Sequence, residues 1–202
     1  MNQISFYVEV VRALDQIGAP YMIVGAVGAS SYGLYRATYD VDIIVDLREE
    51  HFELLAAHFL PPRYYADPDQ MREGMDLGIM FNLIDTERGT KADLVPLSRE
   101  QDYREAFENR IRRTFQNEQG NTFEAWCARP EDIIVGKLMA WKEGQFAKHP
   151  NDIFVMLQFD FSGLSDVQID VTYVTMRAVQ IGDDVNTLWQ GLVIKAHSAS
   201  AD

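Results

Sequence analysis

Residues 39–45, Tyr-Asp-Val-Asp-Ile-Ile-Val, constrain this chain more than any other stretch. The run is strand-sized, and successive side chains of a strand point to opposite faces, so Asp40 and Asp42 share one face while Val41 and Ile43 share the other. The two Cα atoms stand about 6.6 Å apart on that face. Two carboxylates so placed repel by roughly 2–4 kcal/mol at an effective dielectric near 20. A fold that keeps such a strand must put the pair at an accessible sheet surface or give it a counter-charge. A divalent cation supplies one, and Mg²⁺ is usually held by one or two carboxylates together with water and substrate phosphates.

The chain before this strand has its own pattern. Apolar side chains at Tyr7, Val8, Val11, Leu14 and Ile17 predict a helix over residues 5–17, which Gly18-Ala19-Pro20 ends. Tyr21-Met22-Ile23-Val24 reads as a short buried strand, and residues 25–33 as a small-residue turn leading into a short helix. Glycine at position 25 lets the backbone approach a ligand closely. Arg36 can clamp a phosphate, and the Thr38 hydroxyl can brace the turn before the acids.

Beyond the acid pair the pattern predicts a helix over 49–59, a helical or irregular stretch around Pro68 and residues 71–75, and strands near 78–85 and 90–96 joined by a hairpin turn. In the second of these strands Asp93 sits in the alternating run Lys91-Ala92-Asp93-Leu94-Val95. If that strand neighbours the first, about 4.8 Å away, a third carboxylate joins the pair. Three carboxylates are what a two-metal phosphoryl-transfer site uses. Residues 99–109 predict a helix, and two short strands flank the turn at 117–121. Arg129-Pro130-Glu131-Asp132 starts a helix reaching about Gly144, because proline suits the first helical position and acids suit the first turn. A further helix spans about 150–158. The tail, 165–197, predicts two helices separated by Gly182, with Ser165 and Asp183 as N-caps.

The predicted fold class is therefore α+β: a mixed β-sheet flanked by helices over residues 1–128, and a helical C-terminal part over 129–202. Hydrophobic residues make up 47% of the chain, enough for a core, and the net charge of −13 argues against a broad nucleic-acid-binding face. No stretch of about 20 apolar residues is present, so no membrane helix is expected. The single cysteine, Cys127, forbids an intrachain disulfide and fits a reducing, cytoplasmic setting. The four histidines show no metal-ligand spacing and are expected at the surface, while Trp126, Trp141 and Trp189 are expected in the core.

Taken together, Gly25, Gly33, Arg36, Thr38, Asp40 and Asp42, with Asp93 later, resemble the nucleotidyltransferase superfamily of polymerase-β-like fold. The pattern is closest to the prokaryotic branch of AbiEii-type toxins. Ala26 stands where that branch has a second glycine or a serine that holds the triphosphate, and Gly28 stands where alanine is usual. The resemblance extends to Pro130-Glu131-Asp132-Ile133-Ile134-Val135-Gly136-Lys137-Leu138 and then Lys148 and Asp152. It implies that Asp40, Asp42 and Asp93 bind Mg²⁺ or Mn²⁺ and carry catalysis. It implies that Gly25, Ala26, Arg36, Thr38, Lys137 and Lys148 contact the nucleotide, with Asp152 assisting the lysines.

The implied reaction moves a nucleoside monophosphate from a nucleoside triphosphate to an acceptor hydroxyl on a protein, a tRNA or a small molecule, with release of pyrophosphate. Two alternatives stay open: a catalytically silent nucleotide-binding or interaction protein, which Ala26 motivates, and a toxin component neutralised by an antitoxin partner, which the resemblance implies.

Overall fold

The computed structural model describes residues 6–36, 38, 40–99, 101–116 and 120–200. Ser5, Tyr39 and residues 117–119, which fell within predicted elements or turns, lie outside the described residues, as does Glu100 of the predicted helix 99–109. The chain divides into two compact units. The first comprises residues 1–27 and 37–127, and the second comprises 28–36 and 128–202. The nine-residue segment 28–36, which the sequence reading assigned to the sheet-bearing part, clusters with the C-terminal helices.

The first unit is built on a mixed sheet, which among the described residues has seven strands. These are β1 (Tyr21–Ile23), β2 (Asp40–Val45), β3 (Tyr64–Tyr65), β4 (Phe81–Asp85), β5 (Thr90–Pro96), β6 (Ile111–Gln116) and β7 (Thr122–Cys127), in the order β3-β4-β5-β2-β1-β7-β6. β2 lies at the centre, antiparallel to β1 and parallel to β5. Its apolar end explains that place, because Val41, Ile43, Ile44 and Val45 are all buried, as expected of a strand covered on both faces. The acids stand at the other end, with Asp40 exposed and Asp42 half-buried.

Helix α1 (Phe6–Gln16) packs its apolar stripe, Phe6, Val8, Val10, Val11, Ala13 and Leu14, into the core. It ends where predicted: Gly18 takes the left-handed conformation (φ 68°), and the Ala19 N–H donates back to the Leu14 carbonyl at 3.0 Å, a glycine-dependent C-cap. Helix α2 (Gly25–Ser30) starts directly after β1, earlier than the expected turn-then-helix order. Helix α3 (Glu49–His58) follows β2. Its first turn is closed by His51, which is buried and whose Nδ1 accepts the Arg48 backbone N–H at 3.0 Å. This corrects the surface expectation for that histidine: an imidazole nitrogen can cap a helix from inside the fold.

Helix α4 (Pro68–Leu77) settles the stretch left open between helix and irregular chain. Asp67 caps it by accepting the Asp69 N–H at 2.9 Å, Pro68 occupies its first turn, and Gly78 closes it in the left-handed conformation. The two-residue strand β3 was not expected; it pairs Tyr64 and Tyr65 with Asp85 and Ile84. Asp85 is fully buried and accepts from Arg63 and from the backbone N–H groups of Glu87 and Arg88, so it holds the turn of the β4–β5 hairpin. Burial pushes its carboxyl pKa up, but the Arg63 and Arg88 donors outweigh that and leave it lowered. Helix α5 (Gln101–Glu108) follows a single 3-10 turn at Leu97–Arg99.

The second unit gathers the segment 28–36 with helices α6 (Pro130–Gly144), α7 (Lys148–Phe161), α8 (Val171–Ile181) and α9 (Asp183–Ser200). Gly33 is needed here: its φ is 87°, and a Cβ on it would fall 2.3 Å from the Phe159 ring. Tyr32 donates its hydroxyl to the Ala128 carbonyl at 2.8 Å. Trp189 is buried and donates to Thr175 Oγ1 at 2.9 Å, giving its polar edge a partner within the helical core. The α8 cap is Asp170, accepting the Tyr173 N–H at 2.9 Å, and not the expected Ser165. Ser165 is spent on a local turn with Val167. A serine–Val turn five residues upstream looks like a cap in sequence because both features use the same short hydroxyl side chain.

Candidate functional site

The candidate site of the first unit is assembled by register. β2 and β5 run parallel with Asp40 opposite Lys91 and Asp42 opposite Asp93. Residues opposite one another share a face, and so do residues two apart on one strand, so all four ionisable side chains project from the same face of the sheet. β4 adds a fifth polar side chain, because Asn82 is paired with Asp93.

Each acid is held differently. Asp40 is exposed, and the Thr38 hydroxyl lies 3.2 Å from its Oδ1 and 3.1 Å from its backbone carbonyl oxygen. Asp42 is half-buried against the start of α2. Gly25 sits there with φ 64°, and a Cβ at that position would fall 2.0 Å from Asp42 Oδ2. Only glycine accepts both the left-handed backbone and this contact. The Val24 N–H donates to the Asp42 carbonyl oxygen at 2.9 Å, fixing the end of β1 to β2 just before that glycine. Asp93 is buried, with both oxygens engaged: Lys91 Nζ lies 2.8 and 2.7 Å from them, and Asn82 Nδ2 donates to Oδ1. The Lys91 pKa is raised, first by its hydrogen bond to Asp93 and, against the opposing effect of burial, by the charges of Asp93, Asp40 and Asp42.

These donors suit a hard divalent cation, because carboxylate oxygens are what Mg²⁺ and Mn²⁺ take. Asp40 and Asp42 fit that role as a pair. Among the described residues no group of three or more His, Cys, Asp or Glu side chains is arranged to hold a metal ion.

Other predicted site residues lie in the second unit. Arg36 Nε and Nη2 each donate at 3.1 Å to the two oxygens of Asp152, and Lys137 Nζ lies 2.6 Å from Asp152 Oδ2. Lys137 and Asp152 are both buried, so the lysine of α6 does not snorkel outward. Burial pushes the Asp152 pKa up, and the hydrogen bonds from Arg36 and Lys137 more than reverse it, leaving it lowered. Asp152 lies in the second turn of α7, so it acts through these side chains and not as a first-turn acid. Lys148 opens α7 and is exposed. His149 is half-buried beside this cluster, its pKa lowered by burial and then by Lys148 and Lys137; the expectation of a surface histidine is corrected here too. Ala26 is half-buried in the first turn of α2.

Sequence reasoning missed Lys91 and Asn82. Both were within reach of it. Lys91 stands two residues before Asp93, the same spacing as Asp40 to Asp42, and a hairpin turn at 86–89 brings residue 82 opposite 93.

No family model matches the chain, and no curated protein matches it. Solved structures do. The antibiotic-resistance factor ANT(2'')-Ia is 13% identical, with 96% of this chain and 91% of that chain covered and a TM-score of 0.44. An antigenic nucleotidyltransferase-like protein from Paracoccidioides brasiliensis is 15% identical, with 91% of each chain covered and a TM-score of 0.47. JHP933 from Helicobacter pylori is 13% identical, with 96% of this chain and 92% of that chain covered and a TM-score of 0.46.

Proposed function

We propose that this chain is a metal-dependent nucleotidyltransferase that moves a nucleoside monophosphate from a nucleoside triphosphate to an acceptor hydroxyl. The observation that carries this reading is the pair Asp40 and Asp42 on one face of β2, with Gly25 so close to Asp42 that no side chain fits between them. Around a site that must admit a phosphate chain, such close backbone approach is what glycine provides.

In this reaction the acceptor oxygen forms a bond to the α-phosphorus, and the bond from that phosphorus to the pyrophosphate oxygen breaks. The electron pair leaves with pyrophosphate, and the hydroxyl proton passes to Asp93 or to water. A bound Mg²⁺ or Mn²⁺ would supply neutralisation of the phosphate charge and of the leaving group. Asp40 and Asp42 would hold that ion, and Thr38 orients Asp40. The acidity of the chain favours a protein or small-molecule hydroxyl over tRNA as acceptor.

Calorimetric titration of Mg²⁺-ATP and Mg²⁺-GTP into the wild type and into the Asp40→Ala/Asp42→Ala variant tests the reading. Metal-dependent binding that disappears in the variant is the expected result, and transfer of label from an α-labelled triphosphate then identifies the acceptor. A wild type that binds no triphosphate overturns the proposal.

A further inference from the structure

We infer that Lys91 is a built-in counter-cation of the acid cluster, holding Asp93 away from the divalent ion so that Asp40 and Asp42 alone bind it in the resting protein. This rests on the reading of Asp40 and Asp42 as metal ligands and extends it to a residue that the motif resemblance does not assign.

Three observations carry it. The Lys91 ammonium spans both oxygens of Asp93, at 2.8 and 2.7 Å, and Asn82 adds a second donor on Oδ1, so three N–H contacts already compete with a metal for this carboxylate. Asp93 is buried while the Lys91 side chain is 42% exposed, so the acid is fixed and the cation is the movable partner, on a flexible four-carbon stem. Lys91 also stands opposite Asp40 across the β2–β5 pair, which puts a positive charge among the three acids. Three carboxylates and one ammonium leave two negative charges, which one divalent ion balances and two would overshoot. An isolated surface ion pair contributes little; this pair instead decides which carboxylates are available to a metal.

The test is binding of Mn²⁺, followed by loss of the free-ion paramagnetic resonance signal, to the full chain without nucleotide. Wild type, K91M, K91R, D93N, K91M/D93N and D42N are compared. Removing a unit charge from beside a divalent ion and releasing a third carboxylate should tighten Mn²⁺ binding by roughly tenfold or more in K91M. K91R keeps the charge and should bind as the wild type does. D93N leaves one net negative charge and turns the freed Lys91 towards Asp40, so it should weaken Mn²⁺ binding, and K91M/D93N should lose the gain of K91M. A merely structural lysine would produce neither the tightening nor its dependence on Asp93.

Wild-type binding that is lost in D42N but unchanged or weaker in K91M overturns the role of Lys91 and leaves the metal site standing. Absence of Mn²⁺ binding in both wild type and K91M overturns the role together with the metal reading.

Discussion

The two units carry clusters made of the same residue types in opposite proportion. In the first, Asp40, Asp42 and Asp93 outnumber Lys91, and the cluster opens outward through Asp40. In the second, Arg36 and Lys137 outnumber Asp152, and both Lys137 and Asp152 are buried. A buried carboxylate flanked by two cations is paired and hydrogen-bonded, so its charge serves the fold. A pair of carboxylates, one exposed and one half-buried, with too little positive charge beside it stores repulsion that a ligand can relieve. The difference teaches that charge balance and burial, more than residue identity, separate a structural ion cluster from a binding one.

That contrast can be broken by substitution. The largest expected effect is on chemistry: Asp42→Asn should lower nucleotidyl transfer by about 10³-fold or more, the scale of losing an electrostatic contribution to a phosphoryl-transfer site. Its melting temperature should be unchanged or higher, because a like-charge neighbour has been removed. Full transferase activity in this variant would falsify the assignment.

Asp152→Ala should do the reverse, costing about 3–5 kcal/mol in urea unfolding because buried Lys137 loses its carboxylate. The same acid makes a pH prediction. Its pKa lies below the ordinary carboxylate value near 3.8 in the folded state, so the folded state binds fewer protons than the unfolded state as that value is approached. Its stabilising contribution is present above that value and fades as pH falls through the lower folded pKa. Melting temperature measured from pH 6 to pH 2.5 should therefore drop less steeply in Asp152→Asn than in the wild type; parallel curves would contradict the ion-pair reading.

Gly25→Ala sharpens the comparison from the other side. It should cost about 1–3 kcal/mol through the left-handed backbone alone, and it should also push Asp42 aside, so that Mg²⁺-nucleotide affinity falls together with stability. Calorimetry and thermal unfolding on the same preparation read both. The smallest effect is expected at Asp170→Ala, which removes the α8 cap in the second unit and should lower stability by about 1 kcal/mol without changing nucleotide binding.

Much of the fold was legible because local rules dominate it. Gly18 ends α1 as a C-cap, Pro130 starts α6, and Gly182 separates α8 from α9, each a backbone requirement that a single residue type announces. β3 was not legible, since two tyrosines after a proline pair carry no period, and only pairing with Ile84 and Asp85 makes them a strand. Ser165 misled because a hydroxyl that can cap a helix can equally close a local turn. His51 misled because capping from the core leaves no pattern along the chain.

By itself, the sequence determined the parity of Asp40 and Asp42, the requirement for glycine before them, and the alternation that put Asp93 on a strand of its own. All of these follow from periods of two residues and from local sterics, which need no knowledge of neighbours. Only the tertiary structure decided that β2 and β5 run side by side in the register that sets Asp42 against Asp93 and Asp40 against Lys91. It alone decided that Arg36 and Lys137 converge on Asp152, from positions 116 and 15 residues away. Charges that distant along the chain meet because the burial of apolar strands and helices brings them together, and no local pattern encodes which of them will meet.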